Sequence, residues 1–240
     1  STNEGSSWST DIVVKTGLHT ESGLQDAVAF STGGTNYIGV GYAENNSASA
    51  IYGFLRHADG DSPTSWTDES ASVTQFSGTT SDDHIGMLAY NGEVFVAVKT
   101  SGGSINIVHA GLLHRNSSGT WNAYSLGSDV AWTRLTLAID ETNGMLYVFG
   151  THESGVQYIE GKSVPLGAYG SLASAPIQTF MHSSSDNFFD VSAPSHTVNG
   201  ASDLLIAAGN TTRNEIWVQY IGLPGGVVVR GQGGGEALGL

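Results

Sequence analysis

Between residues 82 and 126, apolar positions gather in four short runs, the first three rich in β-branched and aromatic residues, separated by turn residues. The runs are DDHIGMLAY, EVFVAVKTS, INIVHAGLLHR and GTWNAYSL, and an Asn91-Gly92 pair joins the first two. Asn-Gly between β-branched and aromatic runs is a strong hairpin signal, because both central residues of a type I′ turn need positive φ. The stretch therefore predicts four antiparallel strands.

The second of these strands, which starts at Glu93, aligns without gaps with NYIGVGYAE from Asn36, MLYVFGTHE from Met145 and DLLIAAGNT from Asp203. The four starts are separated by 57, 52 and 58 residues. Each strand follows a turn pair of one kind: Gly33-Gly34, Asn91-Gly92, Asn143-Gly144 and Asn199-Gly200. A four-stranded repeat of about 40 to 50 residues is the signature of a propeller blade, lengthened here by loops. No window keeps a helical period, so the fold class is all-β. The expected architecture is a β-propeller of four blades, each of four antiparallel strands.

The fourth repeat supplies three strands, FFDVSAP, DLLIAAGNT and EIWVQYIGL. Residues 8–14 open on Trp8 after Ser7, echoing Ser65-Trp66 and Thr120-Trp121, which open outermost strands. They are expected to close the ring as the missing outer strand, which removes a free sheet edge. Alternatively Val227 to Val229 supply that strand, and residues 8–14 are the remnant of an upstream blade in a propeller of five or more. Residues 1–223 are read as the propeller domain and 224–240 as a Gly-rich tail or linker.

Composition narrows the function. The net charge of −14, from 22 acidic residues against 8 Lys plus Arg, repels nucleic acid and anionic membranes. There is no run of 18 apolar residues, hence no membrane-spanning helix. With no cysteine, disulfides and thiolate metal sites are excluded. Few charges and abundant Gly, Ser, Thr and Asn lean towards a secreted or surface-displayed protein. The sequence leaves oligomeric state open.

In a propeller the inner strands begin at the face where the second strands end, so both sets of residues converge around the central opening. The inner strands open at Asp26, His84, Arg134 and Phe188, beside Gln25, Asp83, Thr133 and Asn187; the second strands end near Tyr42, Glu44, Lys99, His152 and Asn210. On one reading, Asp26, Asp83, His84, Lys99, Arg134 and His152 line a polar ligand site, with Arg134 as a bidentate fork. On the other, such residues bond one another and tie the blades together. Glycoside hydrolysis needs two carboxylates about 5 to 9.5 Å apart, a spacing the sequence does not disclose. A sialidase-like arginine triad is disfavoured, because only Arg134 of the five arginines opens an inner strand. No cofactor is expected, although Asp59 and Asp61 in one loop have oxygen ligands suited to calcium. The loops after His57 and His114 loosely resemble the Asp-box hairpins of sialidase-type propellers, which are structural in those families.

The order DDHI, VFVAVKTS, GTW, Thr133-Arg134 and LYVFGT, over residues 82–155, resembles a group of bacterial secreted or surface β-propeller proteins. The resemblance implies the fold, with Asp83, His84, Lys99 and Arg134 at recurring positions, and implies little about activity. Leu135 stands where that group usually has proline, which bears on local backbone geometry. The sequence reading is thus an extracellular, non-catalytic propeller that binds a glycan or partner protein through the channel face. The alternatives are a glycoside hydrolase or polysaccharide lyase using Asp83, His84 and Arg134, and a structural module decorating a filament or surface layer.

Overall fold

A computed structural model of the chain describes residues 11–18, 24–44, 51–77, 80–101, 109–153, 155–199 and 203–222. They form four antiparallel sheets whose strands follow chain order from inside to outside. Sheet 1 holds β1 (Leu24–Thr32), β2 (Thr35–Glu44), β3 (Ile51–Ala58) and β4 (Thr67–Asp68). Sheet 2 holds β5 (Thr80–Tyr90), β6 (Glu93–Ser101), β7 (Ala110–Arg115) and β8 (Trp121–Ser125). Sheet 3 holds β9 (Trp132–Asp140), β10 (Met145–His152), β11 (Ile159–Pro165) and β12 (Gln178–Met181). Sheet 4 holds β13 (Phe188–Ser192), β14 (Leu204–Asn210) and β15 (Glu215–Ile221). The inner strands meet in sequence, β1 against β5, β5 against β9 and β9 against β13. This is the blade order of a propeller.

The turns carry the expected chemistry in part. Gly33-Gly34 and Asn91-Gly92 have positive φ at both central positions, as a type I′ hairpin requires. The β9–β10 turn is longer: Asp140 accepts hydrogen bonds from the backbone N–H groups of Thr142 (3.0 Å) and Asn143 (3.1 Å) and folds it from within. Asn116 does the same before Trp121, accepting from Ser118 N (3.1 Å) and Thr120 N (2.9 Å). Trp121 then lies edge-on to Phe54 at 5.1 Å, so this Asp-box-like hairpin is a folding device. The outer strand expected after Trp66 is only two residues long and runs into a 3-10 turn at Ser70–Ser72.

Alternation along the second strands decides where the core lies. In β6, Val94, Val96 and Val98 join Phe30, Phe54 and Trp121 in the core between sheets 1 and 2. Phe95 and Ala97, on the other face, join Trp132, Leu137 and Leu146 between sheets 2 and 3. A third cluster, with Phe149, Phe188, Leu204 and Ile206, fills the space between sheets 3 and 4. Sheets 2 and 3 are therefore buried on both faces. Sheets 1 and 4 each keep one face uncovered among the described residues: Ile38 is 51% exposed, Ile216 76% and Tyr220 56%.

The closure expected from the N-terminal strand is not seen where the chain is described. Trp8 lies outside the described residues, and residues 11–14 form no strand. The segment that follows runs beside sheet 1 instead, where Lys15 Nζ lies 2.5 Å from Asp68 Oδ2. Val227 to Val229 and the tail also lie outside the described residues.

Candidate functional site

Three of the four inner strands break register where they begin. In β5, Ser81 lies opposite Thr100 and Ile85 opposite Val98, so Asp82, Asp83 and His84 together face the single residue Lys99. In β9, Thr133 lies opposite Thr151 and Thr136 opposite Phe149, and Arg134 and Leu135 face Gly150. In β13, Phe189 lies opposite Gly209 and Ser192 opposite Ala207, and Asp190 and Val191 face Ala208. Bulges of this kind lift residues out of the ladder and re-aim them. At two of them the lifted residue is not glycine yet has positive φ: Arg134 at 51° and Asp190 at 56°. Such backbone costs on the order of 1 kcal/mol for an L-residue and persists where its surroundings enforce it. Leu135 follows at once and is buried, so the position where proline is usual in the resembling group lies inside the bulge.

These bulges supply a polar cluster across sheets 2, 3 and 4. Lys99 Nζ lies 3.3 Å from Asp82 Oδ2 and 3.0 Å from Glu153 Oε1. Ser101 Oγ donates to the same Asp82 oxygen at 2.6 Å. Burial pulls the Lys99 ammonium down, but the hydrogen bond to Glu153 and the Asp82 charge outweigh it and hold the group above the ordinary lysine value. His84 Nδ1 is 3.5 Å from Thr133 Oγ1. Arg134 Nε meets Asp190 Oδ1 at 2.5 Å, with its guanidinium 3.6 Å from the centre of the Phe189 ring. A Cβ on Gly86 would come within 2.7 Å of the Leu135 carbonyl oxygen; glycine thus lets β5 approach the Arg134 bulge.

Behind this cluster sits a buried carboxylate. Glu160 Oε2 accepts from Trp132 Nε1 at 2.7 Å and lies 3.0 Å from His152 Nδ1. The His152 ring stacks on Tyr158 at 4.4 Å. Burial raises the Tyr158 hydroxyl above its ordinary value, and the Glu160 charge adds to it. The two contacts hold the imidazole one residue away from Glu153.

Of the residues singled out from sequence, His84, Lys99, Arg134 and His152 fall in this region, on sheets 2 and 3. Asp83 belongs to the β5 bulge. Asp26 lies on sheet 1 with both carboxylate oxygens engaged by backbone: Oδ2 accepts from Met87 N and Oδ1 from Ala27 N, each at 2.8 Å. Asp26 therefore ties β1 to β5. Asp59 and Asp61 are exposed, and among the described residues no group of three His, Asp or Glu side chains is arranged to hold a metal. The sequence reading passed over Asp82, Glu153, Glu160 and Asp190. One of them had a visible signal: Glu153 directly follows His152.

No family model matches the chain, and no curated protein matches it in sequence. Solved structures do match its fold. A GH62 hydrolase in complex with xylotriose aligns over 92% of this chain and 78% of its own, at 9% identity and a TM-score of 0.51. The arabinanase of Bacillus subtilis aligns over 82% and 72%, at 13% identity and a TM-score of 0.44. The α-L-arabinofuranosidase of Podospora anserina aligns over 82% and 63%, at 13% identity and a TM-score of 0.41. The expectation of a non-catalytic binding propeller is corrected by the GH62 hydrolase neighbour, which points to the hydrolase alternative. Hydrolysis stands only as an alternative in the sequence because chain spacing gives no distance between carboxylates, and the β5 bulge that brings Asp82 to Lys99 leaves no trace there. The chain is a β-propeller similar in fold to glycoside hydrolases.

Proposed function

We propose that this protein is a glycoside hydrolase acting on neutral, pentose-containing glycans outside the cell. The observation that carries the reading is the sharing of one ammonium by two carboxylates. Because Lys99 touches both, at 3.3 and 3.0 Å, the contacting oxygens of Asp82 and Glu153 are at most about 6 Å apart, a limit compatible with the roughly 5 to 5.5 Å of retaining glycosidic cleavage. Glu153, whose side chain is 43% exposed, is the one a substrate reaches. Glu153 takes up a proton from solvent and delivers it to the leaving oxygen as the glycosidic C–O bond breaks. Asp82, fixed by Ser101 and Lys99, faces the positive charge developing at the anomeric carbon. Water then adds its hydroxyl to that carbon and returns a proton to Glu153. His84 and Arg134 bind sugar hydroxyls alongside. The GH62 neighbour supports the substrate class, having been solved with xylotriose.

The test is release of reducing sugar from arabinan, arabinoxylan and xylo-oligosaccharides. Glu153→Gln and Asp82→Asn are expected to lower kcat by about 10²- to 10⁴-fold, with unchanged circular dichroism. Absence of release from every neutral glycan, or turnover indifferent to both substitutions, overturns the reading.

A further inference from the structure

A cleft of about 450 Å³ lies on sheet 1, apart from the Lys99 cluster. Residues 11–18, which precede β1, form no strand. Gly17, at φ 77°, turns residues 15–18 across the rim of sheet 1, leaving space beneath them. The floor is the Tyr42 hydroxyl and Ser70 Oγ, 2.9 Å apart, with Ser70 anchored to Phe54 N at 3.2 Å. One side is the Lys15–Asp68 ion pair, with Glu44 nearby. The other side is apolar: Leu18, Ile51 and Ala71. The volume lies within the roughly 300 to 1,000 Å³ typical of ligand sites, which combine apolar walls with a few placed polar groups.

We infer that this cleft binds a neutral sugar residue, as a second glycan site apart from the Lys99 cluster. Its charge sets the class. One ammonium against two carboxylates leaves the lining net negative, and the chain as a whole carries −14, so uronic acids and phosphorylated sugars are repelled. A carboxylate beside an ammonium matches vicinal hydroxyls, one donating to Asp68 and its neighbour accepting from Lys15. The C–H face of the ring is received by Leu18, Ile51 and Ala71. The Lys15–Asp68 pairing holds both groups charged: burial opposes ionisation of Asp68, and the bond to Lys15 outweighs it.

A hydrogen bond joins the rim of the cleft to the start of β5: Ser81 Oγ donates to the Glu44 carbonyl at 2.6 Å. Tyr52, the neighbour of the cleft residue Ile51, points to the opposite face of β3 and packs in the core towards sheet 2. The cleft is thus a site of its own, on the other face of sheet 1.

The experiment is a titration of the full chain followed by amide NMR, with xylotriose as neutral probe and trigalacturonate as anionic one. Xylotriose is expected to shift the amides of Tyr42, Ser70 and Ala71, and trigalacturonate to leave them in place. Ala71→Trp, which fills the cleft from an exposed position, should weaken that binding at least about tenfold without changing turnover of short soluble substrates. Asp68→Asn provides a second variant that keeps the volume and removes one acceptor. If xylotriose at about 10 mM moves none of these amides, or binds Ala71→Trp as it binds the parent, the inference is overturned. Binding without any hydrolysis leaves the cleft standing and removes the active-site reading; hydrolysis without binding here does the reverse.

Discussion

The inner strand of sheet 1 and those of sheets 2 to 4 solve the same packing problem differently. β1 pairs with β2 in unbroken register from Leu24 to Thr32, and its opening acid, Asp26, is consumed in bonds to backbone. β5, β9 and β13 are each bulged at the corresponding place, and each bulge delivers polar residues to the channel face. A regular strand thus spends its polar side chain holding blades together, whereas a bulged one leaves Asp82 to pair with Lys99 and Arg134 to pair with Asp190.

Deleting Asp83 and His84 together breaks this contrast most severely. One residue would then face Lys99, and an even deletion preserves the inward and outward alternation of the strand. The chain is expected to stay folded, judged by circular dichroism, while sugar release falls by at least about 10³-fold. Trp132→Ala comes next, since Trp132 is fully buried between sheets 2 and 3 and also holds Glu160. Denaturant unfolding should show a loss of about 3 to 5 kcal/mol.

The join between sheets 1 and 2 has a charged component that responds to pH. Glu69 accepts from Arg56 Nε at 2.6 Å, Arg115 Nε at 2.8 Å and Trp121 Nε1 at 3.2 Å. Burial pushes its carboxyl up, and the two arginines outweigh this, leaving it below its ordinary value of 4.5. Its contribution to stability is therefore complete above about pH 4.5 and is lost as pH falls through the lower folded-state value. Glu69→Gln should cost about 1.5 to 3 kcal/mol at pH 7 and flatten the acid limb of the thermal unfolding profile.

Smaller effects sharpen the contrast. Arg134→Gly relieves the positive φ but removes the contacts with Asp190 and Phe189, so stability should move by no more than about 1 kcal/mol while KM for glycan rises. Ile216→Ser, on the uncovered face of sheet 4, should change the unfolding free energy by less than about 0.5 kcal/mol. A large loss there would mean that this face is covered in solution.

The sequence disclosed the second strands and missed the openings of the first. β2, β6, β10 and β14 were readable because their sequences align with one another without gaps, and β2 and β6 also follow turns with positive φ at both central residues. The bulges were not, because DDHI and TRLT alternate as plausibly in register as out of it, and only a partner strand reveals the extra residues. His84, Lys99, Arg134 and His152 were found because basic residues are scarce. Asp82 and Glu153 were passed over because acids are common and their meeting at Lys99 depends on the third dimension. The outer strand after Trp66 was overestimated: Ser70 turns inward to bond Tyr42 and ends the pairing early.

Among the described residues, the end sheets have one neighbouring sheet each and the middle sheets two. In a linear stack, cohesion is a sum over adjacent pairs, so melting starts at the flanks. Sheet 4, with three strands, is the first to separate. The Asp82–Lys99–Glu153 cluster, seated at the seam with most partners, keeps its shape longest, and gentle heating should erase the periphery before it silences turnover.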